Sequence, residues 1–335
     1  MKKERIIVIY GVRRVGKTSL LRVALNEAKV PFAYIDVRGI YDRSGNVSEI
    51  LFVKDLIASF KKNMTLYEKV RFNIKDILKH VKGFRFREME IELISGVKID
   101  LHEVLKRIND WCADHGLRFV IALDEAQYLR YSKYYPLLLS WVFDNLKKIT
   151  VVLAGSEVGL LQDFLGSSKS GKPLGGRIKF EIRLDRFDYE QGTDFLKKGL
   201  QQANVSPRND ELEEAIREFD GIVGWLTMYG HYRASGLPHQ ESLAKTIEEA
   251  EIVVRDELYK LIGNSKERYL SILKAVSQGN KRWMEIKDYV TLKVGPIADS
   301  QFNYLLNKLI KYGFAEKDNN EYSITDPILL RIMRK

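Results

Sequence analysis

Eight consecutive residues, Gly11-Val12-Arg13-Arg14-Val15-Gly16-Lys17-Thr18, match the pattern G-x-x-x-x-G-K-[ST] without deviation. Each position in that spacing has a chemical task. The glycines let the backbone curl so that successive N–H groups converge on phosphate oxygens. The helix expected to follow turns its positive end toward the same anion. Lys17 is then placed to reach β- and γ-phosphates, and Thr18 to hold Mg²⁺ through its hydroxyl. Ser19, next on the helix, is grouped with the nucleotide-contacting residues. The ligand implied is a nucleoside triphosphate with magnesium, and ATP is the expected one.

Further along, Asp124-Glu125 closes an apolar run, Arg118-Phe119-Val120-Ile121-Ala122-Leu123. A carboxylate at a strand end can hold magnesium, directly or through water, which gives Asp124 that role. Glu125 is the candidate to polarise an attacking water, since a general base must lie within hydrogen-bonding reach. Its bland alternative is a solvated loop carboxylate. Ser156, after the run Ile149–Ala154 and Gly155, could touch the γ-phosphate or that water, or simply occupy a strand-to-loop turn. Arg177 follows Gly175-Gly176 and would either stabilise charge developing in phosphoryl transfer or be a surface arginine.

These residues need a scaffold. Ile6–Tyr10 is short, β-branched and continuously apolar, as a buried parallel strand is. Leu20, Leu21, Ala24, Leu25 and Ala28 then repeat at helical spacing, and Phe32–Val37 reads as a second strand, completing a right-handed βαβ unit. Residues 118–123 and 149–154 supply a third and fourth strand, with a helix near 137–147 between them, and Lys179–Leu184 is the candidate fifth. This alternation predicts an α/β fold around a parallel sheet. A large insertion, about 39–116, separates strands two and three, with helices expected near 50–63, 66–80 and 100–115 and a strand-like patch near 84–95. Its residues 60–98 carry ten Lys/Arg against five Asp/Glu, best read as a solvated helical face.

After Leu184 the pattern turns helical. Asp188 with Gln191 has capping-box spacing, and helices are expected near 189–203, 209–219, 223–235 and 240–262. The last part has three helical stretches, the third through Phe302, Leu305, Leu306, Leu309 and Ile310 to a stop at Gly313. Two short strands around Asp318-Asn319-Asn320 follow, which makes a winged-helix pattern. Its third helix presents Gln301, Asn303, Asn307, Lys308 and Lys311 outward. Residues 265–335 hold thirteen Lys/Arg against eight Asp/Glu, a net +5. Two readings stay open, a duplex-DNA contact and a docking surface for protein or for a second copy.

Across 335 residues, 55 Lys/Arg face 45 Asp/Glu, a net +10 that suits polyanionic partners but equally serves solubility. The single cysteine, Cys112, excludes an internal disulfide and sits in a helical pattern as a core residue. His80, His102, His115, His231 and His239 lack metal-ligand spacing, so no zinc site is assigned. No apolar stretch approaches the ~20 residues of a membrane span, and the N-terminal run is too short for a signal peptide; a cytoplasmic location is expected.

On these residues the chain resembles the archaeal ATPase family of the STAND class, relatives of the AAA+ proteins. The match rests on four features. They are the Val12-Arg13-Arg14-Val15 filling of the loop, the stretch Ile121–Gln127, the stretch Leu153-Ala154-Gly155-Ser156 with Val158–Leu161, and the tail Tyr322–Pro327. The resemblance implies sheet order 5-1-4-3-2, a helical lid and a C-terminal winged helix. It divides the chain into an ATPase domain (1–186), a lid (187–263) and a winged helix (264–335). By that analogy Asp124 is the Walker B magnesium residue and Glu125 the catalytic glutamate. Ser156 becomes the sensor and Arg177 the arginine before the fifth strand. Two family features are not found: the Phe…Arg…Glu-Leu segment before the first strand, and a proline in the lid, where Gly221–Trp225 has none. Adenine contacts and a lid sensor are therefore not assigned. The expected activity is slow, magnesium-dependent ATP hydrolysis driving a conformational switch. The alternatives are a DNA-binding regulator in which ATP only sets conformation, and an interaction scaffold. A small-molecule kinase is a weaker rival.

Overall fold

The β-branched run Ile6–Tyr10 forms strand β1, and the other apolar runs follow it into one sheet. A computed structural model of the chain describes residues 4–63, 77–79, 81–86, 91–94, 96–97, 99–166 and 172–335. The strands are β2 (Phe32–Asp36), β3 (Phe84–Phe86), β4 (Ile91–Leu93), β5 (Phe119–Asp124), β6 (Ile149–Gly155) and β7 (Phe180–Arg183). Five of them pair in parallel in the order β2-β5-β6-β1-β7. Counting only these five along the chain, the order is 5-1-4-3-2 from one edge, as expected. Every residue of β5 and β6 is buried, the signature of strands covered on both faces. Each fully buried Leu or Ile there contributes roughly 1.5–3 kcal/mol.

The two edges are handled differently. At one, Ser59 on the helix Glu49–Asn63 accepts from the Tyr34 N–H of β2 at 2.7 Å, covering an edge donor. At the other, β7 is short and largely exposed, which also limits edge-to-edge pairing.

The insertion contains the helices Glu49–Asn63 and Leu101–Asp114 and a separate hairpin of β3 and β4 where the strand-like patch was expected. The helix expected near 66–80 lies mostly outside the described residues. Cys112 is fully buried, and burial pushes its thiol up to about 12. Three eight-residue helices, Val37–Ser44, Val158–Leu165 and Pro327–Arg334, were not anticipated. The last carries a signal that was legible: Asp326 caps it through the Ile328 N–H, and Pro327 takes its first turn.

The chain divides into two compact units. The first comprises Met1–Tyr10, Lys17–Gly155 and Leu160–Arg183; the second comprises Gly11–Gly16, Ser156–Gly159 and Leu184–Lys335. Within the second, helices Tyr189–Gln202, Asn209–Phe219, Val223–Ala234 and His239–Ile262 precede a winged-helix arrangement. The capping box of Asp188 and Gln191 forms as its spacing predicts. The winged helix has helices Lys266–Ser277, Trp283–Val294 and Asp299–Lys311, then an antiparallel pair, β8 (Ala315–Asp318) and β9 (Glu321–Ile324). One hydrophobic core runs from Leu196 through Trp225 and Leu258 to Met333.

Candidate nucleotide site

The helix Lys17–Glu27 begins at the loop's lysine, and Lys17 is buried. Beside it, the Thr18 hydroxyl donates to Asp124 Oδ2 at 2.7 Å. The Tyr34 hydroxyl on neighbouring β2 donates to the same oxygen, also at 2.7 Å. The Glu125 N–H donates to Asp124 Oδ1 at 3.0 Å. Three donors thus offset the cost of burying this carboxylate at the end of β5. Burial, reinforced by Asp124, pushes the Tyr34 phenol far above the usual tyrosine range, so it acts as a donor throughout the physiological range. The Arg22 guanidinium lies 5.0 Å from the Tyr34 ring centre and opposes that shift.

A hydroxyl and a carboxylate this close suit Mg²⁺, which takes few protein ligands and completes its shell with water and substrate phosphates. Among the described residues no group of three or more His, Cys, Asp or Glu side chains could hold a metal by itself. Thr18 and Asp124 therefore fit a magnesium that arrives with a nucleotide.

Glu125 adopts a left-handed backbone, φ 51° and ψ 43°, and opens the 3₁₀ turn Ala126–Tyr131. This is an uncommon conformation for a non-glycine residue and lifts its side chain off the strand's alternation. Its carboxylate accepts a hydrogen bond from Gln127 Nε2.

The loop residues Gly11–Gly16 are held within the second unit. Gly11 admits no side chain: a Cβ there would fall 2.1 Å from the Leu184 carbonyl oxygen. Arg14 has φ 66°, another left-handed non-glycine residue, and its carbonyl accepts from Gly224 N–H at 2.8 Å. Since such loops bind phosphate through backbone N–H groups, their side chains are available for other work. Arg13 pairs with Glu157 at 2.9 Å and Glu257 at 3.5 Å, and lies over Phe314. Arg14 pairs with Glu257 at 2.7 Å and Asp326 at 3.7 Å, with its guanidinium carbon 4.3 Å from the Trp225 ring centre. Trp225 Nε1 in turn donates to Asp326 Oδ2 at 3.2 Å. Burial raises the Asp326 carboxyl above the usual aspartate range, with Arg14 working against that rise.

The remaining predicted residues are dispersed. Val15 is buried, while Ser19 is exposed on the first turn of its helix. Ser156 is buried directly after β6. The structure does not bring Arg177 to Thr18 and Asp124. It precedes β7, which starts level with Ile7 of β1, whereas the phosphate loop follows the other end of β1, about 13 Å of strand away. There Arg177 makes a forked pair with Asp144, at 2.6 and 3.2 Å, and also donates to the Pro173 carbonyl. The reason is topological: residues before a parallel strand sit at the opposite end of the strands from those after it. Sequence reasoning missed Tyr34, a hydroxyl in an apolar strand with no local signal, and cited Gln127 only as part of a motif.

On the winged helix, Gln301, Asn303, Asn307 and Lys311 are exposed as expected, and Lys308 is half-buried. Asn303 accepts from the Trp283 indole at 2.7 Å, and Lys308 lies over Tyr269. A Cβ on Gly159 would come 2.8 Å from Lys311 Cα, so the Ser156–Gly159 segment lies directly against the end of that helix.

Residues 1–229 match a sequence profile described as an ATPase domain predominantly from Archaea. Residues 264–325 match the C-terminal winged helix-turn-helix domain of MCM proteins. Curated protein sequences gave no match. Among solved structures, a Walker-type ATPase of Pyrococcus abyssi is similar over 100% of this chain and 92% of its own, with 31% identity and a TM-score of 0.82. The ORC2 protein of Aeropyrum pernix, solved in ADPNP–ADP complexes, is similar over 99% of this chain and 87% of its own. Its identity is 16% and its TM-score 0.58, a likeness of fold. No helix among the described residues is long and apolar enough to cross a membrane.

Proposed function

The chain belongs to a family of ATPase domains found predominantly in Archaea, and from that premise we propose a magnesium-dependent ATP-hydrolysing switch that signals nucleotide state to its winged helix. The observation that carries this reading is the pairing of Arg13 and Arg14 with Glu257 and Asp326. The phosphate loop's own side chains are tied to the helix His239–Ile262 and to the start of the helix Pro327–Arg334. A ligand that reorganises the loop backbone must act on those pairs.

In this reading the chain works as an ATPase part (1–186), a lid (187–263) and a winged helix (264–335). The backbone of Gly11–Gly16, with Lys17, binds the phosphates, and Ser19 flanks them. Thr18 and Asp124 would hold Mg²⁺, which neutralises charge on the phosphates. Glu125 polarises the attacking water, and Ser156, beside the buried Glu157, senses the γ-phosphate. Any role of Arg177 in charge stabilisation is exerted on a neighbouring copy, because it stands at the starting end of the strands in its own chain, away from Thr18 and Asp124.

The winged helix has a second reading as a duplex-DNA contact, favoured by the exposed Gln301 and Asn307 and the net positive charge of 265–335. The surface bond from Trp283 to Asn303 and the seating of Lys308 over Tyr269 leave fewer uncommitted groups on that helix for bases, which favours docking to protein. Turnover of ATP in magnesium buffer, with and without duplex DNA at low and moderate salt, separates them. Stimulation that fades with salt supports DNA coupling, and indifference supports protein docking. Lys17→Ala should abolish ATP binding; retained affinity would overturn the nucleotide-site assignment.

A further inference from the structure

Gln127 is almost completely buried, at 1% exposure, in the turn that follows Glu125. One end of its amide is spent on the Glu125 carboxylate, which accepts from Nε2. The other end, Oε1, is buried and has no hydrogen-bond partner among the described residues. The amide cannot be turned round, because a carboxylate needs a donor and would repel Oε1. Leaving a buried acceptor unsatisfied is unfavourable.

The amide rests over the end of β6, in space that a glycine leaves open. A Cβ built on Gly155, the last residue of β6, would lie 2.4 Å from Gln127 Oε1 and 3.5 Å from its Cδ. Any residue other than glycine at 155 would occupy the space in which the amide rests. Glu125 itself sits in a left-handed backbone, uncommon for a residue with a side chain. The chain thus builds a stack: strand end, amide, carboxylate.

We propose that Gln127 is a positioning residue for ATP hydrolysis: seated on Gly155, it holds the Glu125 carboxylate in the orientation from which it acts on water. This rests on the reading of Glu125 as the base. A base must be aimed within a narrow range, and small misplacements lower the chemical step without touching substrate binding. Gly155 directly precedes Ser156, so the same stack joins the base to the segment proposed to sense the γ-phosphate.

The test is a two-residue cycle on the full chain. Gln127→Met keeps length and volume and removes the donor. It should lower kcat for ATP at least tenfold while KM stays within about twofold. Made in a Glu125→Gln background, it should cost nothing further, because the group it positions is gone. Gly155→Ala, which keeps the donor but displaces it, should reproduce the loss in kcat with ATP affinity retained; this variant serves if Gln127→Met does not fold. An unchanged kcat in Gln127→Met, or losses that multiply in the double variant, would overturn the positioning role while leaving Glu125 as the base. A Glu125→Gln variant as fast as the parent would remove the base assignment, and the role of Gln127 with it.

Discussion

The hydroxyls of Thr18 and Tyr34 donate to the same oxygen of Asp124, each at 2.7 Å. The carboxylate proposed to hold magnesium is thereby fixed from two sides, by the helix after the phosphate loop and by the adjacent strand. Partners of this kind orient a ligand, and their loss commonly costs about 10–100-fold in metal affinity. Tyr34→Phe is expected to raise the magnesium concentration needed for half-maximal turnover by about tenfold, with ATP binding in EDTA unchanged. A magnesium titration of the two proteins checks this, and superimposable curves would remove Tyr34 from the site.

Arg14 combines an ion pair with Glu257 and a stack on Trp225. Arg14→Ala should leave ATP affinity within about threefold, since the loop binds through its backbone. It should weaken the folded state by roughly 1–2 kcal/mol, because a cation over an indole ring and a partly screened pair are each worth about 1 kcal/mol. The proposed switch predicts that ATP changes the protease sensitivity of residues 264–335 in the parent, and Arg14→Ala should lose that change. A variant that retains that change would detach the arginine from signalling.

Asp326 supplies a pH dependence whose sign can be worked out. Burial raises its folded carboxyl above the ordinary value of 3.8. Just above that value the native state keeps a proton that the unfolded state has lost, so stability falls as pH rises through the window up to the folded value. The slope is at most about 1.4 kcal/mol per pH unit. Asp326→Asn removes the titration. Urea unfolding in steps from pH 3.5 upward should therefore show the parent losing stability relative to the variant, and parallel curves would sink the claim.

Arg177 is committed to Asp144 at the starting end of the parallel strands, away from their ends that carry Asp124. Arg177→Ala should leave ATP affinity and turnover of a dilute, monomeric preparation within about twofold. The pair is partly exposed, so the stability cost should stay below about 1 kcal/mol. A large loss in turnover that grows with protein concentration would point to action across a copy interface; the same loss independent of concentration would contradict the placement.

The local chemistry of this protein was legible in its residues. The phosphate loop is set by eight adjacent positions, and the buried strands announce themselves as continuous apolar runs, because both depend on near neighbours in the chain. The capping box at Asp188 and the stop at Gly313 are local in the same sense. The sheet order came from resemblance to a family, since strand pairing joins residues that no periodicity links.

Only the tertiary structure decided which side chains meet the loop and Glu125. Arg13 finds Glu157 at a separation of 144 residues and Arg14 finds Glu257 at 243. Tyr34 reaches Asp124 across 90. A parallel sheet brings strand ends together whatever their distance in sequence, so Tyr34 and Gly155 acquire their roles from strand order alone. The same rule sends Arg177, at the start of its strand, to the opposite end of the strands. A sequence lists the groups able to do chemistry; the crossing of the chain from strand to strand determines which of them meet.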